Sequence, residues 1–434
     1  MRTALGILIA GIMACMAVAS PFVHEPYSGA PSGDSVTISW ASMTPLPARI
    51  EYGSLEHFED RQQFQHAVDV EVPEEGLSDT QHVVLQGLPS ANQYVYRVAL
   101  IDDQVEYMSE VGEFSTAPAS GTPVEFIVLA DTQQQLEGVN RLELVGSAIA
   151  ADPMEFDFIL HAGDIVESPS SFYWDDWFAS FGNMLARAPF IPVPGNHEKN
   201  HRSYYDNFEF PPGAGKNDER WWAFHWGDVV VVGLDTNVRS ATDIRDQQDW
   251  AREHLGGSEP HKFVIFHHPV FSSDAFYGTG FFFDTIYHPI FVEMGADIVF
   301  NGHSHHYEHI VRDGVTYMVV GGGGATPRQT RPDHIEGSDV SIEGYHFYVR
   351  VATSDEGIYV ETVSVARETG TTAILTEEAH LLDTFQLLLP ITELQTTRLS
   401  ILLWSIAFSV FFAICLSGTL IYFKRRNRRK GQPF

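Results

Sequence analysis

The sequence predicts an α/β layered domain, preceded by an all-β sandwich and followed by one membrane-spanning helix. Three observations carry that prediction. Short runs that alternate apolar with polar residues, separated by turn formers, fill residues 27–118. Nearly continuous β-rich apolar runs then alternate with helix-like stretches across residues 122–368. Finally, residues 399–423 carry no formal charge and are followed at once by six bases.

The chain is 434 residues long, enough for two folded units and additional segments. Its 44% hydrophobic and 19% charged content excludes an intrinsically disordered polymer. Charge is unevenly placed: residues 20–398 hold 19 bases against 57 acids, a net of −38, while the ends hold seven bases and no acid. A body this acidic repels a phosphate backbone, so nucleic-acid binding is not expected. The two cysteines, Cys15 and Cys415, lie in the terminal apolar segments. The body therefore has no disulfide framework, no thiolate metal site and no cysteine nucleophile.

Residues 1–19 read as a secretory signal. Arg2 supplies the charge, residues 5–18 the apolar run, and Ala17-Val18-Ala19 a small-x-small cleavage site. Processing as a lipoprotein at Cys15 is the competing reading. Residues 20–118 form the expected sandwich, with strands over 35–40, 48–52, 82–85 and 94–101. After the linker at 117–123, strands are expected at 125–130, 156–161, 190–193, 229–234, 263–266, 298–300 and 317–320. Helices are expected at 138–151, 243–255 and 289–294. Residues 369–398 read as a juxtamembrane segment with an amphipathic helix over 383–393. As a helix, residues 399–423 would be about 37 Å long at ~1.5 Å per residue, more than a ~30 Å hydrocarbon core. Lys424, Arg425, Arg426, Arg428, Arg429 and Lys430, in the tail 424–434, would hold that end in the cytoplasm. The body is then expected outside the cytoplasm, with the lipid bilayer as a partner of the helix.

The chemistry sits where the apolar runs stop. Val128-Leu129-Ala130 ends at Asp131, and Leu160-His161-Ala162-Gly163 ends at Asp164. Residues 191–194 lead into Gly195-Asn196-His197-Glu198, residues 264–266 into His267-His268-Pro269, and residues 298–300 into Asn301-Gly302-His303-Ser304-His305. In an open α/β sheet ligands bind at the carboxyl ends of strands, so five such ends would converge on one crevice. Carboxylates, neutral imidazoles and one amide oxygen suit hard-to-borderline ions. A carboxylate bridging two ions can help lower the pKa of a shared water, and a nearby imidazole can protonate a departing alkoxide.

Asp131, Gly163-Asp164, Gly195-Asn196-His197-Glu198, His267-x-Pro269 and Gly302-His303-x-His305 resemble, in order and spacing, the five blocks of the calcineurin-like metallophosphoesterases. With the sandwich in front, whose residues 81–98 resemble a fibronectin type III-like module, the similarity is to the purple acid phosphatase branch. The resemblance implies an αββα domain over 122–368 and a phosphoesterase with two metal ions of the Fe, Zn or Mn class. It implies that Asp164 bridges the ions, that Asp131 and His305 serve the first, and that Asn196, His267 and His303 serve the second. His197 would be the catalytic acid. Two departures stand out: Glu167 occupies the place of that branch's tyrosine, and Gln133 the place of the wider superfamily's histidine. Either could supply an oxygen to the first ion.

Other residues have plainer readings beside functional ones. His268 competes with its neighbour as ligand. His201, His306 and His309 read as loop or supporting histidines, and Trp221 and Trp222 as core or cleft wall. Phe281-Phe282-Phe283 is either packing or a lid. Residues 321–324 are a tight turn or a phosphate cradle, with Arg328 and Arg331 after them as possible substrate contacts. The expected function is hydrolysis of phosphate esters, monoesters first. A phosphodiesterase or nucleotidase on the same core, or an inactive surface binding protein, are the alternatives. Protein partners are not legible.

Overall fold

Alternation along the strands decides which layer each side chain meets. In the computed structural model, which describes residues 20–388 apart from 73–79, 104, 135–139, 280–281, 370–372 and 377–378, the strand Glu125–Leu129 sends Phe126 and Val128 into one apolar cluster. Its Ile127 and Leu129 enter another. The strand Val229–Gly233 divides in the same way, Val229 and Val231 against Val230 and Val232. Two sheets therefore face each other across a shared core that includes Phe126, Phe158, Trp222, Phe263, Phe300 and Phe347. Helices Arg141–Ala150 and Ser171–Leu185 cover the outer face of one sheet. Helices Ala241–Leu255 and His288–Met294 cover the outer face of the other. The order helix, sheet, sheet, helix is the α/β layering expected from the sequence.

The first sheet runs Phe190–Pro192, Phe158–His161, Glu125–Leu129, Tyr345–Ser354, Gly357–Thr369 and Ala373–Thr376 in space. Its first three strands are parallel, with Phe158 opposite Phe126 and Ile159 opposite Phe190. The second sheet contains Val229–Gly233, His261–Ile265, Ile298–Asn301 and Val315–Val320 as parallel neighbours. These parallel strands are buried on both faces, which is why they read as unbroken apolar runs.

Residues 22–115 form an antiparallel two-sheet unit. Phe22–Gly29, Ser35–Ser42 and Thr80–Gln86 make one sheet; Ala48–Ser54 and Gln93–Asp102 centre the other. Val36, Ile38, Trp40, Ile50, Tyr96, Val98, Leu100 and Phe114 fill the space between them. The unit is pinned to the layered domain: His24 stacks on Phe178 at 3.9 Å, Thr80 Oγ1 donates to Asn207 Oδ1 at 3.0 Å, and Tyr27 Oη donates to Asn207 O.

One expectation needs correction. Residues 383–388 are not the start of an amphipathic helix but part of the strand Leu381–Leu388, paired with Gly357–Thr369. The reason is long-range: Asp383 Oδ2 accepts from Tyr307 Oη at 2.7 Å and meets His309 Nδ1 at 3.2 Å, while Phe385 stacks on His309 at 4.0 Å. The sheet thus continues past residue 368. The expected signal (1–19), span (399–423) and basic tail (424–434) lie outside the described residues. Among the described residues no helix is long and apolar enough to cross a membrane.

Glu308, fully buried on the strand Tyr307–Arg312, ties three segments together. It accepts from the Ser273 main-chain N–H at 2.7 Å and from Ser338 Oγ at 2.7 Å, and lies 3.1 Å from His306 Nε2. Burial pushes its carboxyl up, but the hydrogen bonds from His306 and Ser273 outweigh burial and bring it down to about 2. A depressed folded-state value means that the stabilisation is full above the unfolded value of ~4.3 and is lost as pH falls toward 2. Glu308→Gln should therefore flatten the stability–pH curve between pH 4.5 and 2, removing a wild-type decline of about 3 kcal/mol. Urea melts of both proteins across that window test this, and parallel curves would refute the assignment.

Candidate metal centre

Five of the seven parallel strands deliver one or two polar residues each to the same end of the layered domain. Asp131 follows Glu125–Leu129, Asp164 follows Phe158–His161, and Asn196 and His197 follow Phe190–Pro192. His267 follows His261–Ile265, and His303 and His305 follow Ile298–Asn301. Three of them hold left-handed backbone conformations, with φ of +58° at Asp131, +55° at Asp164 and +67° at His303. Non-glycine residues pay conformational energy there, and such strain clusters at sites that need a fixed side-chain direction. Two glycines explain the spacing. A Cβ on Gly195 would lie 2.2 Å from Asp164 Oδ1, and one on Gly302 would lie 2.5 Å from Asp131 Oδ2. Only hydrogen permits the two loops to close on the aspartates.

Ligand-type atoms of Asp131, Asp164 and His267 lie within 4.8 Å of one another, as do those of His267, His268 and His303. His267 places Nδ1 2.9 Å from the Ala162 carbonyl, so that nitrogen must carry a proton. Its Nε2 then faces two oxygens, Asp164 Oδ2 at 3.1 Å and Asn196 Oδ1 at 3.1 Å. His305 repeats the pattern: Nδ1 donates to the Thr326 carbonyl at 2.9 Å, and Nε2 lies 3.5 Å from Asp131 Oδ1. A neutral ring in this tautomer aims its lone pair at a carboxylate, an arrangement that a cation between them relieves. The electrostatics separate the histidines. Burial pushes His303 and His305 down to about 3, the neutral ligand form. Burial also pushes Asp131 up to about 7, with the charge of His267 opposing it and that of Asp164 adding to it. Burial pushes His267 down, but the charge of Asp164 and its hydrogen bond outweigh burial and raise the ring to about 9, so a proton at Nε2 can take the place of a cation between them.

Glu198 is the residue whose task the sequence did not show. Fully buried, it accepts the main-chain N–H groups of Gly195 at 2.7 Å, Asp164 at 3.0 Å, Ile165 at 2.7 Å and Val166 at 3.1 Å. One carboxylate thus fastens the Asp164 loop to the Asn196 loop. Burial, followed by the charge of Asp164, raises it to about 7.

His197 stands beside the pair, its side chain 27% exposed. Its main-chain N–H donates to Asp164 Oδ1 at 2.8 Å, and its Nδ1 lies 2.8 Å from the Glu167 carbonyl oxygen. Nε2 lies 3.9 Å from Asp164 Oδ2. Glu167 therefore belongs to the His197 side, its carboxylate 3.9 Å from His197 Nδ1. Gln133 instead reaches the other side, with Nε2 3.2 Å from His305 Nε2 and a buried Oε1 that has no hydrogen-bond partner among the described residues. Of the two candidates for an extra oxygen, Gln133 is the one beside Asp131 and His305.

The remaining candidates divide. Arg328 joins the site, donating Nη1 to the His303 carbonyl at 3.0 Å. Arg331 turns away, with Nη2 3.4 Å from the Ser272 carbonyl and no contact to the ligand set among the described residues. Gly322 and Gly323 donate their N–H groups to Val320 O and Ala130 O, which fits the turn reading and leaves those two amides unable to cradle a phosphate. His201 caps the helix Arg202–Asn207, His306 and His309 pair with Glu308 and Asp383, and Trp221 and Trp222 are core. His268 is more than a neighbour. Its Nδ1 bonds Thr236 Oγ1 at 2.8 Å, and its ring lies 4.7 Å from that of His303.

Comparisons with known proteins bear on the fold that carries these residues. Residues 124–307 match the calcineurin-like phosphoesterase family. Purple acid phosphatase 15 of Arabidopsis thaliana is 24% identical over 361 residues, covering 67% of this chain and 66% of that protein. The purple acid phosphatase of Glycine max is 24% identical over 266 residues, covering 56% of this chain and 55% of its own. The chain thus spans about half to two thirds of the length of these curated relatives. Among solved structures, purple acid phosphatase PPD1 from yellow lupin aligns with a TM-score of 0.69 at 16% identity, over 85% of this chain and 74% of its own. PhoD aligns with a TM-score of 0.64 at 14% identity, over 86% and 94%. These likenesses show the fold.

Proposed function

We propose that this chain, which carries a calcineurin-like phosphoesterase domain over residues 124–307, hydrolyses phosphate esters, monoesters first, at a pair of metal ions held between its two sheets. The observation that carries the reading is the pair of imidazoles, His267 and His305, whose Nε2 atoms face the Asp164 and Asp131 carboxylates at 3.1 and 3.5 Å. Asp131, His305 and Gln133 would hold one ion; Asn196, His267 and His303 would hold the other; Asp164 would be shared. Two such ions supply an activated water and polarise the phosphoryl oxygens.

The protein's own groups do the rest. Glu198 keeps the Asp164 and Asn196 loops in register. Arg328, beside the His303 loop, offers a guanidinium to a phosphoryl oxygen. His197 holds its ring through the Glu167 carbonyl and presents Nε2 to the leaving oxygen. The ions belong to the Fe, Zn or Mn class; one relative is named an Fe(3+)–Zn(2+) purple acid phosphatase. Elemental analysis of the purified protein with turnover of an aryl phosphate tests the reading. The expected result is two metals per chain, turnover, and no strong visible band, because Glu167 stands where a metal-bound phenolate would give colour. Two bound metals with neither monoester nor diester turnover would favour a binding protein instead.

The N-terminal two-sheet unit is read as a fibronectin type III-like module with no chemistry of its own. Residues 399–423 are read as a membrane anchor and 424–434 as its cytoplasmic flank, which puts the catalytic body outside the cytoplasm. Protease added to intact cells should then digest the body. A protected body with a cleaved tail would reverse the orientation.

A further inference from the structure

A cavity of 620 Å³ opens beside the metal centre, lined on one side by His268 and His303 and on the others by Val238, Ile244, Phe283 and Ile286. Those two histidines also belong to the cluster around His267, so the cavity and the candidate metal centre share a wall. Tyr277 closes that wall, its ring 4.4 Å from His303, with the Arg328 guanidinium 4.5 Å above it. Phe283 lies 5.9 Å from the His268 ring, with Arg239 6.0 Å from its centroid. No carboxylate lines the cavity among the described residues, in a body whose acids outnumber its bases threefold. Arg239, the one cation described in the lining, already donates Nη1 to the Thr236 carbonyl at 2.9 Å.

From these contacts we infer that this cavity is the subsite for the alcohol part of the ester, and that the preferred substrates carry a bulky, uncharged, aromatic or aliphatic group there. The inference rests on the phosphoesterase reading and names its substrate class. An acid-free wall spares the dianionic ester the repulsion that most of this surface imposes. Phe283 and Tyr277 offer ring faces on which a planar group can stack, and Ile244 and Ile286 offer contact area without hydrogen-bonding demands. A sugar or glycerol group would find partners for its hydroxyls only along the edge formed by residues 277–279 and Arg239 and would leave the others against Val238, Ile244, Phe283 and Ile286.

The test compares naphthylmethyl phosphate with ethyl phosphate, whose leaving alcohols are similarly poor, so that selectivity reports binding and not leaving-group chemistry. Wild type should favour the naphthylmethyl ester by about 10–200-fold in kcat/KM, the range a hydrophobic pocket gives for added hydrocarbon. Ile244→Trp, which fills the cavity, should reduce that ratio by about tenfold or more, and Phe283→Leu should reduce it less. A second readout needs no turnover: calorimetric binding of naphthylmethylphosphonate to the metal-loaded protein should weaken in Ile244→Trp. Equal kcat/KM for both esters, with equal phosphonate binding by wild type and Ile244→Trp, overturns the inference and leaves the hydrolase reading standing. Cavity-dependent phosphonate binding without hydrolysis of any ester does the reverse.

Discussion

Asp164→Asn is expected to keep the fold and lose the metals. The substitution is isosteric at a residue 1% exposed. Asn can keep its oxygen on the His197 main-chain N–H, now 2.8 Å from Asp164 Oδ1, and turn its amide nitrogen toward His267 Nε2, now 3.1 Å from Oδ2. That amide can donate to a neutral His267 Nε2, so the metal-free variant keeps a hydrogen bond where wild type sets a protonated His267 against Asp164. The charge is what disappears. Without it the two halves of the donor set no longer share a carboxylate, and activity should fall by about 10³-fold or more, the several kcal/mol that metal ions supply to a developing charge. Elemental analysis should find less than two metals per chain. Added metal should raise the melting temperature of wild type and not of the variant, because only a ligand that binds the native state stabilises it. A variant that retains both metals and loses under tenfold in activity would show that Asp164 is not the shared ligand.

Much of this centre was legible before the structure because of where polarity interrupts the buried strands. A parallel strand covered on both faces tolerates little polarity in its interior, so an aspartate after Val128-Leu129-Ala130 marks the strand's end and its open edge. The same argument located Asp164, His267 and His303. It could not assign Glu198, whose importance lies in four main-chain N–H groups drawn from two loops about thirty residues apart. Nor could periodicity identify the strand Leu381–Leu388. Leu382 and Phe385 are three apart and fit one helical face, and only the pairing with Gly357–Thr369 and the ties from Asp383 to Tyr307 and His309 decide for a strand. The choice between Glu167 and Gln133 was likewise a matter of direction. Three residues beyond Asp164 the chain has turned toward His197, while two residues beyond Asp131 it still faces His305.

His197→Ala separates an acid catalyst from a structural neighbour. The link that matters for the metals is the His197 main-chain N–H to Asp164 Oδ1 at 2.8 Å, and alanine keeps it. Metal content should therefore stay at the wild-type level. What alanine removes is the ring, which Glu167 holds at Nδ1 through its carbonyl and which leaves Nε2 near the aspartate edge, 3.9 Å from Asp164 Oδ2. If His197 is the acid, a proton delivered from Nε2 in wild type converts a departing alkoxide to an alcohol. Its loss should lower kcat by about 10²–10⁴-fold for an alkyl phosphate, the usual contribution of a positioned general acid. Nitrophenolate leaves as a stable anion and needs less protonation, so nitrophenyl phosphate should suffer a much smaller loss. The acidic limb of the alkyl-ester pH–rate profile should persist while the limb that depends on a protonated imidazole disappears. A steeper dependence of kcat on leaving-group pKa in the variant is the signature of a missing acid, which altered packing alone would not produce. Equal losses for both esters at unchanged metal content would assign His197 to binding the phosphoryl group and would leave the proton to another imidazole, with His268 the next in reach of the centre.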